Sequence, residues 1–409
     1  MQDHGRLYLP KDQTLHTAAA LPLTAGLREK FQYNNWNYGL AALVTQPLAG
    51  LSLGSYLAQR FFEPLGMTRT SVIRPQEGGD DVSEGYMALA NATPARIDRP
   101  FVGDDQIMFG AMGVNSCVKD LLTFYGEMLR SGADQLANGS TSTEGSPFKC
   151  VPDIWNCQAP LPESHLRERY YGLGLFRTQL PNTMMSTSMN GGRLPSPPVV
   201  ARGSRSQLAL YHGGNSAASQ NWAILLPETQ TAIVVLTNTM ANCDAANLIA
   251  SMLLEALLDS PEKHDYEELA RVASKAGVEQ WQTLHRSLSR QRIDGTSPKP
   301  LESYAGKYWN HVGNWHMDIY LEDGGLVMAF QGDRKNSHAL RHYNYDVFTW
   351  LLSQDENVAI GRFPYTSQGQ WLLNFQSEDG AIKGLKWNQN GIKDGEYFHK
   401  GEYGDFPNQ

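Results

Sequence analysis

The sequence predicts an α/β chain in which an antiparallel sheet flanked by helices is followed by a smaller, strand-rich unit. Three short apolar runs, QLALYH, NWAILLP and TAIVVLT, follow one another with turn-forming residues between them, as consecutive antiparallel strands do. The stretch DAANLIASMLLEALL comes directly after and reads as a helix, so strands pack against helices. After Leu301 the texture changes to short runs rich in Tyr, Trp and Phe, separated by the turns EDGG, SEDG and NQNG.

In chain order, residues 1–32 read as loop and a short helix ending in LREKF. Asn34 or Asn35 then caps a helix whose apolar positions Trp36, Leu40, Leu43 and Val44 follow helical spacing. Ser52 caps the next, with Tyr56, Leu57, Phe61 and Phe62 inward, before EPLGM turns the chain. A third amphipathic helix runs from about Ser116 through Leu121, Leu122, Tyr125, Met128 and Leu129. Residues 131–206 are rich in turn formers, broken by YYGLGLF, which alternates like a strand, and PNTMMSTSMNGGRLPSPP reads as a long mobile loop. A charged helical stretch over 262–290 leads into DGTSPKP, which suits a linker.

A chain of 409 residues holds two domains. Its net charge of -8, with both signs interspersed, leaves no basic stripe for nucleic acid. No apolar run approaches the ~20 residues that span a bilayer, and MQDHGRLYLPKDQ lacks the apolar core of a signal peptide, so the sequence as given reads as cytoplasmic. Cys117 and Cys243 sit in helical contexts, while Cys150 and Cys157 flank VPDIWN and read as free thiols or, in an oxidising compartment, a disulfide.

Two motifs carry the chemistry: Tyr33-Asn34-Asn35 at a helix start and Tyr211-His212-Gly213-Gly214 at a strand end. With FQYNNWNYGLAAL, FFEPLGMTRTS and LYHGGNSAASQNWAILLPETQTAIVVLTNT around them, the chain resembles the serine β-lactamase and penicillin-binding-protein superfamily, in particular its class C-like hydrolases and esterases. The segment YAGKYWN followed by MDIYLEDGGLVMAF resembles the lipocalin-like barrel appended to many members, and the overall texture resembles fungal ones. The resemblance implies a β-lactamase/transpeptidase-like domain over residues 1–260, N-terminally truncated, a helical linker over 261–300 and a small antiparallel β-barrel over 301–409.

In that family Tyr33 would match the tyrosine that works with the lysine of Ser-x-x-Lys in proton transfer, and Asn35 the amide that orients the substrate carbonyl. An Asn before a helix is equally a cap. His212, Gly213 and Gly214 would occupy the Lys-Thr-Gly or His-x-Gly triad, whose glycines let substrate approach the strand edge. The N–H of Asn215 would be one of two oxyanion donors.

None of the 32 residues before Tyr33 forms Ser-x-x-Lys, so the resemblance implies that this motif lies upstream of the sequence as given. Downstream strings begin at Ser116, Ser146 and Ser260. Two of them place Pro beside the Ser in loop-like text. The third resembles the family's GG-x-x-S-x-x-D-L-x-x-F segment, where the serine caps a helix bordering the site.

The expected activity is acyl transfer or hydrolysis of an ester, amide or lactone through an acyl-enzyme. The expected partner is a small-molecule or peptide-like acyl substrate, with no metal or organic cofactor, because side chains alone supply the chemistry and no Cys/His cluster has ligand spacing. The oligomeric state stays open. The alternative is a non-catalytic relative that keeps the cleft for binding.

Overall fold

The computed structural model describes residues 2–3, 6–72, 82–98, 100, 102–161, 166–389 and 395–402. The chain divides into two compact units, residues 22–277 and residues 1–21 together with 278–409.

In the first unit, β1 (Ala159–Pro160), β2 (Arg169–Tyr171), β3 (Phe176–Leu180), β4 (Gln207–Ser216), β5 (Ser219–Leu226) and β6 (Thr231–Thr237) pair in sequence order, each antiparallel to the next. The three apolar runs are β4, β5 and β6. The expected single strand YYGLGLF is instead a hairpin: Gly174 takes a φ of 94°, the Gly172 N–H bonds the Leu175 carbonyl at 2.7 Å, and the chain reverses between β2 and β3. The register sets Tyr171 opposite Phe176, Phe176 opposite Tyr211, and Tyr211 opposite Ile224, giving one aromatic row across three strands that Ile224 continues onto a fourth.

Helices cover both faces of this sheet. They are α1 (Asn35–Ala49), α2 (Val118–Asn138), α3 (Val151–Trp155) and α4 (Ala245–Leu257), while α5 (Tyr266–Gln291) begins in this unit and ends in the other. Ala246, Ala250 and Leu254 of α4 pack on Tyr211, Trp222, Ile224 and Val235. Met128 and Leu129 of α2 and Trp155 of α3 pack on Leu210 and Leu225 of the opposite face. Leu129, Leu210 and Leu225 are fully buried, each contributing about 1.5–3 kcal/mol over an exposed position.

Three helix starts follow from local chemistry. Asn34 rather than Asn35 caps α1, accepting the Trp36 N–H at 2.8 Å, and Gly50 ends that helix at a φ of 68°. Ser52 accepts the Ser55 N–H, and Asp244 caps α4 by accepting the Asn247 N–H. Val44, expected inward, is exposed, because α1 buries its small residues Gly39 and Ala42 instead.

Elsewhere the structure corrects the expectations. Ser116 does not cap α2; Cys117 holds that position without a side-chain bond, and Ser116 Oγ pairs with Thr70 Oγ1 at 2.7 Å. The helix also runs on through Ser131, Gly132 and Gln135, because Gly132 lies under Trp155, where a β-carbon would come within 2.1 Å of the indole. LREKF forms a turn, and the helix of that region lies earlier, at Gln13–Ala19. The stretch 181–198 is no surface loop, since Met184, Met185, Asn190 and Leu194 are buried. Its polar groups are taken up by α4: Asn247 donates to the Met184 carbonyl at 2.9 Å, and Asn190 donates to the Asp244 carbonyl at 2.9 Å.

β6 is an edge of the sheet, and Ile249, Met252, Leu253 and Leu257 form an exposed apolar stripe on α4. All four cysteines are free thiols. No single helix among the described residues is long and apolar enough to cross a membrane; Asn35–Ala49 and Leu53–Phe62 reach that test only together, across a 74° bend.

The second unit is a closed antiparallel barrel of eight strands: β7 (Gly306–Asn310), β8 (His316–Glu322), β9 (Gly325–Phe330), β10 (His338–Asn344), β11 (Val347–Thr349), β12 (Leu372–Glu378), β13 (Ala381–Trp387) and β14 (Glu396–Lys400). Closure comes from β7 pairing with β14. This is the lipocalin-like module. Its interior holds Phe330 and Trp387 of the strands together with Trp315, Trp350 and Trp371 from just beyond strand ends, and the buried Arg362 guanidinium lies 4.4 Å from the Trp350 ring. Residues 8–20 belong to this unit: Tyr8 packs on Phe330, and Asn314 donates to Gln13 Oε1 at 3.1 Å and Thr17 Oγ1 at 2.8 Å.

Candidate active site

Tyr33 stands in the extended segment leading into α1, and the cap at Asn34 fixes where the helix begins behind it. From β4, His212 comes up beside it, with ring centroids 5.9 Å apart. The structure thus brings together the two motifs, which lie far apart in sequence. Tyr33 remains 44% exposed, and its hydroxyl bonds no other described residue. Asn35 is half-buried, and since Asn34 does the capping, its amide is also uncommitted among the described residues.

The two glycines differ. Gly213 is opposite Trp222, and a β-carbon there would meet the indole at 2.0 Å. Gly214 is exposed, with nothing nearer than 4.0 Å to its open position. One glycine seats the buried tryptophan, and the other leaves the strand surface bare.

Asn215 turns its amide inward, donating to the Thr187 carbonyl and to Asp244 Oδ2, both at 3.3 Å. Asp244 also accepts Ser188 Oγ at 2.8 Å, so one carboxylate ties the strand end to the segment 187–190. Burial raises the pKa of Asp244, opposed by these bonds.

Sequence reasoning missed Tyr171 and Tyr38. Tyr171 is buried in the aromatic row, its hydroxyl 3.4 Å from His212 Nε2 and 3.0 Å from the Tyr38 hydroxyl. A tyrosine in a strand-like run carries no spacing signal that separates it from core.

Burial raises the pKa of Tyr33, with Tyr38 adding to it, and raises that of Tyr171 well beyond the usual tyrosine range. Burial also lowers the pKa of His212, partly offset by the main chain of Gly213. Phenols and imidazole are therefore all neutral at pH 7, so Tyr33 as it stands can donate or relay a proton but is not a standing phenolate.

A lowered imidazole pKa has a stability consequence. Between the folded value and the unfolded value of 6.5, the unfolded chain binds a proton that the fold refuses, so stability rises with pH through that window and is flat above it. Thermal unfolding from about pH 5 to pH 7.5 is expected to show a falling midpoint below pH 6.5. Burial lowers the pKa of His399 and His316 in the barrel unit as well, with Asp318 opposing it at His316, so both share this trend. The part of the slope removed by His212→Gln is that of His212; an unchanged slope would show that burial does not hold this ring neutral.

The formal Ser-x-x-Lys serines are all engaged elsewhere. Ser116 bonds Thr70, which also donates to Asp120 at 2.8 Å. Ser146 pairs with Ser131 at 2.7 Å, and Ser260 with Ser204 at 2.8 Å.

Residues 290–400 match the family model of a domain of unknown function, DUF3471. The unguisins hydrolase ungD' of Aspergillus campestris (strain IBT 28561) is 22% identical over 321 residues, 76% of this chain and 52% of that protein. The chain therefore spans about half the length of the curated relative it matches. Among solved structures, the octameric penicillin-binding protein homologue from Pyrococcus abyssi is similar at a TM-score of 0.46 and 16% identity, covering 96% of this chain and 69% of that one. The D-amino acid amidase from Ochrobactrum anthropi SV3, complexed with L-phenylalanine amide, is similar at 0.44 and 17%, covering 63% and 66%. The Beta-lactamase family model matches residues 1–257, more than half of the sequence, and with the Tyr33 and His212 motifs brought side by side the chain belongs to the β-lactamase family.

Proposed function

We propose that the protein is a β-lactamase-like serine hydrolase or acyltransferase that opens an ester, amide or lactone of a small-molecule or peptide-like substrate through an acyl-enzyme. The observation that supports this most is the meeting of Tyr33 and His212 beside a bare strand surface at Gly214. Tyr33 passes the proton toward the leaving group, as its neutral, half-exposed phenol suits. Asn35 holds the substrate carbonyl side chain with its uncommitted amide. Gly213 and Gly214 let the acyl group lie along β4, and the Asn215 N–H faces the developing oxyanion.

A second reading is a relative that binds acyl ligands without turnover. It is favoured by the engagement of Ser116, Ser146 and Ser260 in bonds that do not involve Tyr33 or His212.

Intact-mass spectrometry after incubation with a fluorophosphonate probe separates the two, with wild type run beside Ser116→Ala. An adduct kept by Ser116→Ala supports the hydrolase reading, and peptide mapping names the serine. An adduct lost with Ser116 would overturn the structural role that its bond to Thr70 gives it. A folded protein without adduct selects the binding reading. Ser116→Ala itself is expected to cost about 1 kcal/mol of stability through that lost bond.

A further inference from the structure

We propose that Tyr171 and Tyr38 are positioning residues that hold His212 as a hydrogen-bond acceptor at Nε2, in a chain of bonds running from Tyr38 through Tyr171 to the imidazole. The three groups come from three elements: α1 carries Tyr38, β2 carries Tyr171 and β4 carries His212. Their polar atoms are spaced 3.0 Å and 3.4 Å apart.

The direction of the chain follows from counting hydrogens. A neutral imidazole has one N–H, and a phenol has one O–H. Across the 3.4 Å contact the phenol O–H is the better donor and the imidazole nitrogen the better acceptor, so the ring N–H sits on the other nitrogen, Nδ1. Nε2 then carries a lone pair, and the hydrogen between it and Tyr171 belongs to the phenol. Having spent that hydrogen, Tyr171 can only accept from Tyr38.

The packing holds this arrangement in place. The Tyr171 ring meets Phe176 edge-on at 4.7 Å and Phe31 at a tilt at 4.9 Å. Phe176 in turn lies 5.3 Å from the His212 ring. Gly174, at the hairpin tip, passes close to the Tyr38 hydroxyl, where a β-carbon would lie 3.8 Å from it.

This inference deepens the proposed function and rests on its assignment of Tyr33 to proton transfer. With its Nε2 lone pair turned to a buried phenol, His212 is not a free base for substrate. It is a fixed wall against which Tyr33, the exposed phenol of the cluster, is set.

The test is 15N NMR of the full chain labelled in histidine, with the His212 signals assigned by their loss in His212→Gln. Wild type is expected to show a protonated Nδ1 and an unprotonated Nε2 shifted upfield by the bond it accepts. Tyr171→Phe keeps the packed ring and is expected to move Nε2 downfield while Nδ1 stays. Tyr38→Phe, on the half-buried side of α1, is expected to move Nε2 the same way by less, since it weakens the Tyr171 donor without removing it. A protonated Nε2 in wild type, or an Nε2 signal indifferent to both variants, overturns the proposal. The readout needs no turnover, so a protein that fails to label can still show the relay, and one that labels can still lack it.

Discussion

Gly213→Ala is expected to lower the stability of the protein by about 1–3 kcal/mol, while Gly214→Ala one residue on leaves it unchanged. The new β-carbon at Gly213 would sit 2.0 Å from Cζ3 of Trp222 and 3.0 Å from Thr187 Oγ1. Trp222 has no room to yield: it is fully buried and stacked on Tyr211 at 5.9 Å. The clash must therefore push the indole off its rotamer or part β4 from β5. At Gly214 the nearest atom is 4.0 Å away, so alanine is accommodated. Urea unfolding of the two variants beside wild type reads both results. If Gly214→Ala also abolishes fluorophosphonate labelling of a protein that labels, bareness of the strand serves the substrate and not the fold. Equal stability of the two variants would mean that Trp222 can repack freely.

Glu255→Ala is expected to cost more, about 3–5 kcal/mol. The side chain of Glu255 is 1% exposed on α4 and joins three distant groups. Its Oε1 accepts the Ala201 N–H at 3.2 Å and faces His264 Nδ1 at 2.8 Å, and its Oε2 accepts the His264 N–H at 3.0 Å. Alanine leaves two main-chain donors without a partner and opens a cavity between α4 and the segments at Ala201 and His264. Glu255→Gln keeps an acceptor oxygen and should recover part of the loss. Thermal unfolding of both variants checks this, and an alanine variant within 1 kcal/mol of wild type would show that water replaces the carboxylate at no great cost.

Much of this fold is legible because its signals are local. A cap reads out within three residues, and so Asn34, Ser52 and Asp244 mark true helix starts. The strands β4 to β6 announce themselves by apolar runs between turns. What the sequence hides depends on partners far along the chain. Ser116 looks like a cap until Thr70, 46 residues earlier, takes its hydroxyl. The segment 181–198 looks mobile until Asp244 and Asn247 of α4 bond Asn190 and Met184. At the site, Tyr33, Asn35, His212 and the two glycines were legible as motifs. The division of labour between the glycines, and the part played by Tyr171 and Tyr38, needed the packing.

The barrel unit is discontinuous in the chain, and this has a consequence for synthesis. Residues 8–20 are made before residues 22–277, but Phe330 and Asn314, which they pack against and bond, appear only after all of 22–277 has been made. The closing pair of β7 and β14 comes later still. Residues 22–277 thus separate the two pieces of the barrel unit in sequence, and residues 8–20 wait for their partners while 22–277 is made. The entropy of that wait grows only slowly with the length inserted, so the arrangement costs folding order more than stability. Cutting the chain near Leu21 would remove part of the barrel unit, although those residues lie within the match to the Beta-lactamase family model.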